Sequence, residues 1–189
     1  MNTLHVQDGE REIACLAIHA EMSQLAASPD GRWLAASDHW RYSVDIWETA
    51  SWTKRYTVPF AGRSRLAFSP DSTFLVVGVP DEYVFWDLAA GVARHHLTRQ
   101  QTSTARGPLA FSTDGKLLAI LRTRTLIVLV AYPGLRELAA LELPHPEEVE
   151  CLAFDPTGTR LAAGCARHHI ALWDLRRLRG ELARLGLDW

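Results

Sequence analysis

Two pairs of adjacent histidines are the residues of this sequence that most readily suggest a metal site. The pairs are His95-His96 and His168-His169. Adjacent residues of a β-strand point to opposite faces of the sheet, so neither pair can hold one ion between its two rings. The three cysteines stand at no spacing typical of metal ligands, and no carboxylate recurs at a fixed offset from the histidines. The sequence therefore predicts neither a metal site nor a cofactor.

Sequence motifs that position nucleophiles or phosphates are absent from the chain. It has no G-x-S-x-G motif around an activated serine and no phosphate loop of the type G-x-x-x-x-G-K-[ST] or G-x-G-x-x-G. It also lacks the HRD and DFG motifs of protein kinases. The serines of its recurring SPDG-like stretches occupy turns. We therefore expect that the protein is not an enzyme.

The charge and hydropathy of the chain argue against two classes of partner. Twenty basic residues stand against 22 acidic ones, so the formal net charge of −2 leaves no basic footprint for nucleic acid. The longest apolar run, residues 126–132, is far shorter than the roughly 18 residues of a membrane span. An acidic N-terminal segment and an odd number of cysteines, both unlike a secreted protein, predict a cytoplasmic location.

An internal repeat accounts for most of the chain. Two apolar stretches around a tight turn recur as LAASPDGRWLAAS, LAFSPDSTFLVVG, LAFSTDGKLLAIL and LAFDPTGTRLAAG. Their turn residues Asp30, Asp71, Asp114 and Thr157 are 41, 43 and 43 residues apart. A second block, VDIWE, YVFWD, LIVLV or IALWD, follows each turn about 16 residues later. The turn and the second block therefore repeat with the same period.

Each block of the repeat has the length and composition of a β-strand. Nearly continuous apolar stretches such as FLVVG are typical of strands that are covered on both faces. The tight turns join neighbouring strands into antiparallel pairs. Short antiparallel strands that repeat about every 43 residues predict an all-β fold in which blades stack around an axis.

The repeat resembles that of the WD-repeat family of β-propellers. A Trp-Asp or Trp-Glu pair ends the second block at Trp47, Trp86 and Trp173, and His19 and His145 stand where the family places a loop histidine. The resemblance implies a partial β-propeller of about four four-stranded antiparallel blades, arranged as an open arc or an incomplete ring. It also implies that the three tryptophans are core residues of the repeat.

The resemblance divides the chain into a propeller region, residues 1–174, and a tail, residues 175–189. The expected units are a partial blade 3–18, blades 23–58, 64–98 and 107–142, and an incomplete blade 149–174. Leucines at 175, 178, 182 and 185 form one helical stripe, which predicts a short amphipathic helix. The tail resembles the segment after the last blade in bacterial proteins that join a serine/threonine kinase to WD repeats.

A group of loop arginines is the candidate binding site. The guanidinium group can form two parallel hydrogen bonds to a carboxylate or a phosphate. In the family, the loops between second and third strands open on the same face as the loops that join blades. The resemblance places on this face Arg41, Arg124, Arg167, Trp40, Arg63 and Arg65. Acidic residues of the same loops would cancel much of the charge, so solvated loop charge is the simpler interpretation.

These features together predict a non-catalytic WD-repeat scaffold that binds another protein or peptide, acidic or phosphorylated. Self-association through open blade edges is a further expectation, whereas nucleic acid and membranes are not expected partners. The chain would be a C-terminal fragment of a larger propeller protein. The alternative is a ligand-sensing or regulatory module of a serine/threonine protein kinase whose catalytic domain lies outside this chain.

Overall fold

The computed structural model describes residues 2–18, 22–38, 42–60, 63–100, 106–143 and 145–187. In these ranges the chain forms 17 β-strands and one α-helix, and the strands make five antiparallel sheets. Each sheet contains only strands that are consecutive in sequence. The predicted all-β partial propeller with a short C-terminal helix is therefore confirmed.

The sheets are a two-stranded hairpin, three complete blades and one three-stranded blade. The hairpin contains β1 (Asn2–Asp8) and β2 (Arg11–Ile18). Blade I contains β3 (Met22–Ala27), β4 (Trp33–Asp38), β5 (Ser43–Glu48) and β6 (Thr53–Pro59). Blade II contains β7 (Arg65–Phe68), β8 (Phe74–Gly78), β9 (Glu82–Asp87) and β10 (Val92–Thr98). Blade III contains β11 (Leu109–Phe111), β12 (Leu117–Leu121), β13 (Leu126–Ala131) and β14 (Glu137–Glu142). Blade IV contains β15 (Val149–Phe154), β16 (Arg160–Cys165) and β17 (Ile170–Asp174).

A hydrogen-bonded turn connects the first two strands of each complete blade. In blade II, Ser69 Oγ donates to Asp71 Oδ1 at 2.5 Å and accepts a hydrogen bond from the backbone N–H of Phe74 at 2.9 Å. Asp71 Oδ1 also accepts from the backbone N–H of Thr73 at 3.0 Å. Ser28 with Asp30 and Ser112 with Asp114 repeat this arrangement in blades I and III. Each turn thus satisfies backbone groups that the tight bend would leave unpaired.

The same turn in blade IV uses different residues. Asp155 occupies the serine position, and its carboxylate accepts hydrogen bonds from Thr157 Oγ1 at 2.6 Å and from the backbone N–H of Arg160 at 2.8 Å. The sequence therefore preserves the turn although the acid and the hydroxyl residue have exchanged places.

Apolar cores fill the spaces between consecutive sheets. The innermost strands β3, β7, β11 and β15 pack against one another in that order. Alternate residues of each strand face the preceding and the following sheet, which explains why the strands are apolar along their length. The buried side chains that face a following blade include Val44, Ile46, Tyr83, Phe85, Ile127 and Leu129.

The tryptophans of the repeat register pack toward the preceding sheet. Trp47 is buried in the core between blade I and the hairpin, where it joins Leu16. Trp86 packs against the core between blades I and II, and Trp173 packs against the core between blades III and IV. Trp52, which lies outside this register, is partly buried against the hairpin core.

The row of blades is open at blade IV. Ile170 and Leu172 occupy the positions that face a following blade, and their side chains are 76% and 61% exposed. Among the described residues, no apolar core joins blade IV to the hairpin or to blade I. Of the two arrangements that the resemblance left open, the open arc is the one observed.

The C-terminal helix α1 (Leu175–Arg184) packs on the core between blades III and IV. Asp174 caps its first turn by accepting a hydrogen bond from the backbone N–H of Arg177. Gly186, at a φ of 71°, ends it, and the backbone N–H of Leu187 donates to the carbonyl of Leu182 at 2.9 Å. Leu185 is 72% exposed because the helix ends before it, so the predicted stripe loses its last leucine. No helix in the described ranges is long and apolar enough to cross a membrane.

Candidate protein-binding face

The segments that lead into the innermost strands meet on one face of the arc. We call this the loop face and define it by Arg63, Arg65, Arg106, Glu147 and Glu148, which precede or begin β7, β11 and β15. Arg65 at the start of β7 reaches across to blade IV, where its Nη2 donates to the backbone carbonyl of Glu150 at 3.2 Å. The loop face therefore combines residues of three blades that are far apart in sequence.

The arginines of the loop face form a cationic cluster. Partial burial lowers the pKa of the Arg106 guanidinium below its usual value, and the nearby charges of Arg65 and Arg63 lower it further. Arg65 Nε is buried and has no hydrogen-bond partner among the described residues. None of the three arginines forms an ion pair with a carboxylate in the described part of the chain. The cluster is thus a concentration of positive charge that no carboxylate of the described residues neutralises through an ion pair.

A buried tyrosine positions the backbone beside Arg106. Tyr83 Oη donates to the carbonyl of Pro108 at 3.0 Å and accepts a hydrogen bond from the backbone N–H of Leu121 at 2.8 Å. The backbone of Gly107 lies so close to Gly78 that a Cβ added at Gly78 would stand 2.1 Å from its carbonyl oxygen. Burial raises the pKa of Tyr83 to about 12, so it remains a neutral donor and acceptor. Blades II and III therefore hold the segment that carries Arg106 in a fixed place.

The acidic residues of the loop face are paired with groups of their own blade or of blade III. Glu148 Oε2 accepts a hydrogen bond from Arg124 at 3.2 Å, and Glu147 Oε1 lies 2.8 Å from His169 Nδ1. In blade II, Oε2 of Glu82, the first residue of β9, lies 2.8 Å from His96 Nδ1. Each of these acids therefore has a local partner, although the second carboxylate oxygen of Glu147 is buried without one among the described residues.

The structure brings only some of the predicted site residues together. Arg63 and Arg65 lie in the cluster, whereas Arg124 is held by Glu148. Arg167 is exposed in the turn between β16 and β17, and His145 is exposed in the loop before β15. Trp40, Arg41 and His19 lie outside the described residues.

One contributor to the face, Tyr83, was not singled out by the sequence. The sequence gives one hint of its role: Tyr83 carries a hydroxyl group at a position of the repeat that is aliphatic in blades I and III, where Val44 and Ile127 stand. A buried hydroxyl at such a position usually has a hydrogen-bond partner.

A second basic surface lies beside helix α1. A cleft of about 690 Å³ separates α1 from blade III, with apolar side chains such as Leu117 and Leu175 among its lining residues. The basic residues that line it are Lys116, Arg136, Arg176 and Arg179. This surface is the alternative to the loop face for an anionic partner.

The last repeat matches a family model. Residues 139–174 match the family described as "WD domain, G-beta repeat", and these residues form β14 to β17 of the structure. The same register recurs in the three preceding blades. The fold is that of a β-propeller, and its last repeat is similar to a WD repeat.

The proteins that this chain resembles are longer than it is. It is 26% identical over 170 residues to THO complex subunit 3 of Arabidopsis thaliana, and the match covers 89% of this chain and 53% of that protein. The chain thus spans about half the length of this curated relative. Among solved structures, Kuenenia stuttgartiensis hydrazine synthase matches with a TM-score of 0.68 and 16% identity, over 81% of this chain and 46% of that chain. This last likeness shows the fold alone.

Proposed function

We propose that this WD-repeat protein is a non-catalytic interaction module whose loop face binds an acidic or phosphorylated segment of another protein. The observation that carries the proposal is the cluster of Arg63, Arg65 and Arg106, none of which forms an ion pair with a carboxylate within the described ranges. A carboxylate or phosphate at this place would neutralise the cluster through charge-assisted hydrogen bonds to the guanidinium groups.

The architecture and the comparisons support a role in binding rather than catalysis. Blades joined by apolar cores make a stiff platform, and loops on such a platform are suited to present binding groups. The relative from Arabidopsis thaliana is, by its name, a subunit of a complex.

The test compares two charge-reversal variants of equal size. The first is Arg63→Glu with Arg65→Glu and Arg106→Glu, and the control is Arg55→Glu with Arg160→Glu and Arg177→Glu, whose side chains are exposed elsewhere. The probes are a fluorescent hexaglutamate peptide and a phosphoserine peptide, followed by anisotropy at low salt. We expect the first variant to bind about tenfold more weakly or worse, since charge-assisted hydrogen bonds are each worth about 1.5–3 kcal/mol. The control should bind like the unaltered protein.

Three outcomes would overturn the proposal. The first is equal binding by the loop-face variant. The second is a loss of binding only in Arg136→Glu with Arg176→Glu, which would move the site to the cleft beside α1. The third is tighter binding of a single-stranded oligonucleotide than of either peptide, which would assign the cluster to nucleic acid.

The proposal extends to the open end of the arc, where a second copy of the chain is the expected occupant. In this chain the equivalent apolar face is covered by a blade three times, so a face of the same composition suits another blade. Light scattering should show a mass that rises with concentration, and Leu172→Glu should reduce that rise. A monomer at every concentration would contradict this extension. The cytoplasmic location, the fragment status and the kinase-linked alternative stay predictions.

A further inference from the structure

The outer face of the hairpin carries a cluster of three residues that can ligate a metal. The ligand atoms of His5, Glu12 and Cys15 all lie within 4.8 Å of one another, and the three side chains are exposed. The residues are separated by seven and three positions in the sequence, a spacing that matches no linear metal motif. Only the pairing of β1 with β2 brings them together.

The pairing of the hairpin explains the cluster residue by residue. His5 stands directly opposite Cys15 in the register of β1 and β2. A bulge between Val6 and Gln7 then shifts the register, so that Gln7 pairs with Glu12. An extra residue in one strand changes the direction of the side chains beside it, and here the Glu12 carboxylate stands 2.6 Å from His5 Nδ1.

A hydroxyl group orients the imidazole ring of His5. Thr3 Oγ1 lies 3.0 Å from His5 Nε2, which leaves Nδ1 on the side of Glu12 and Cys15. A hydrogen bond to the second ring nitrogen is the usual device that holds a metal-bound histidine in place.

We propose that His5, Glu12 and Cys15 bind one Zn²⁺ ion, with water as the fourth ligand. Imidazole nitrogen, carboxylate oxygen and thiolate sulfur are the three donor types that zinc takes in proteins. The sulfur ligand disfavours Mg²⁺ and Ca²⁺, which prefer oxygen. The ion would tie β1 to β2. This inference is independent of the proposed function, because the hairpin lies outside the loop face.

The chain supplies matched controls for this site. His96 and Glu82 form a similar pair on β10 and β9, with Nδ1 and Oε2 2.8 Å apart and with side chains 52% and 37% exposed. No cysteine sulfur joins that pair within the described residues. Cys151 is an exposed free thiol on a different sheet. His96→Ala and Cys151→Ser therefore remove the same chemical groups without touching the proposed site.

The test is a titration of the tag-free, reduced protein with Co²⁺ and then with Zn²⁺. We expect one ion per chain and a thiolate-to-cobalt absorption band that Zn²⁺ abolishes. His5→Ala and Cys15→Ser should each weaken binding about tenfold or more, and Cys15→Ser should also remove the band. His96→Ala and Cys151→Ser should titrate like the unaltered protein.

Any of the following results would contradict the proposed zinc site. A band that survives in Cys15→Ser, or that disappears in Cys151→Ser, would place the metal elsewhere, and unchanged affinity in His5→Ala would remove the imidazole from the ligand set. Because His5 and Glu12 are 52% and 48% exposed, their variants should fold, which circular dichroism will check. Glu12→Gln, which keeps the side-chain shape, provides a second measurement and should also weaken binding.

Discussion

The third strands of blades III and IV have the same pattern and opposite surroundings. Leu129 lies opposite Ala119 in blade III, and Leu172 lies opposite Ala162 in blade IV. Leu129 is fully buried, whereas Leu172 is 61% exposed. Two residues along, Ile127 is fully buried and Ile170 is 76% exposed. The repeat therefore specifies an apolar face, but a following blade decides whether that face is a core or a surface.

The largest expected effect tests this difference directly. Leu129→Ala should lower the free energy of unfolding by about 2–5 kcal/mol, because it opens a cavity in a packed core. At dilutions where light scattering shows a monomer, Leu172→Ala, the same change at the matching position, should lower it by less than about 0.5 kcal/mol, because little packing is lost. Urea unfolding followed by tryptophan fluorescence measures both at that dilution. Similar losses in the two variants of the monomer would contradict an open blade IV.

A smaller loss of stability is expected at Tyr83, which stands in blade II where Ile170 stands in blade IV. Tyr83 and Ile170 each lie opposite a glycine, Gly78 and Gly164, but the Tyr83 hydroxyl bridges blades II and III. Tyr83→Phe should cost about 1–3 kcal/mol, since it leaves the buried N–H of Leu121 without its acceptor. The control Tyr42→Phe alters a residue that is 46% exposed and should leave stability unchanged. An equal loss in both would argue against the bridge.

The turns should differ in their dependence on pH. Burial raises the pKa of Asp71, but hydrogen bonds from Ser69, Thr73 and Tyr132 outweigh it and hold the pKa below its usual value. A folded-state pKa below the unfolded-state value gives stability that is present above the ordinary carboxyl range and is lost as pH falls through the folded-state pKa. The hydroxyl of Tyr132 in blade III donates to Asp71 in blade II at 3.0 Å, so this carboxylate joins two blades.

Asp71→Asn should therefore lower stability at neutral pH by about 1 kcal/mol and flatten the fall in stability between about pH 5 and pH 2. Asp155→Asn is the matched change in blade IV, where hydrogen bonds from Thr157 and the backbone of Arg160 lower the pKa of an exposed carboxyl. Its effect should be smaller, because the hydrogen bonds of the Asp155 side chain within the described residues all lie in its own turn. Thermal unfolding over a pH series measures both variants, and a larger effect at Asp155 would contradict the ranking.

The repeat made the strands easy to predict because each turn and each apolar stretch is a local feature. The turn residues Asp30, Asp71 and Asp114, which the repeat aligns, lie in equivalent hydrogen-bonded turns of blades I to III. The prediction that Leu185 belongs to the apolar stripe of the C-terminal helix is wrong, because the helix ends at Arg184. Leucine spacing alone does not show where a helix ends. The pairing of Arg124 with Glu148 could not be foreseen, since it joins loops of two different blades.

The candidate sites were harder to predict than the fold. Arg63, Arg65 and Arg106 belong to two loops, and their mutual approach depends on how β7 and β11 pack. His5, Glu12 and Cys15 belong to two strands, and a single bulge decides whether Glu12 joins the others. The distances between side chains of different loops or strands depend on how those elements pack, so the residues of one segment do not reveal them.

By itself the sequence determined the repeat, the all-β blades and the turns, because periodicity and turn chemistry act between residues that are close along the chain. The tertiary structure alone decided which apolar face is buried, which arginines form a cluster and which three side chains can share a metal ion. These properties depend on contacts between blades or strands, where burial and distance are set by the neighbouring element rather than by the segment's own composition.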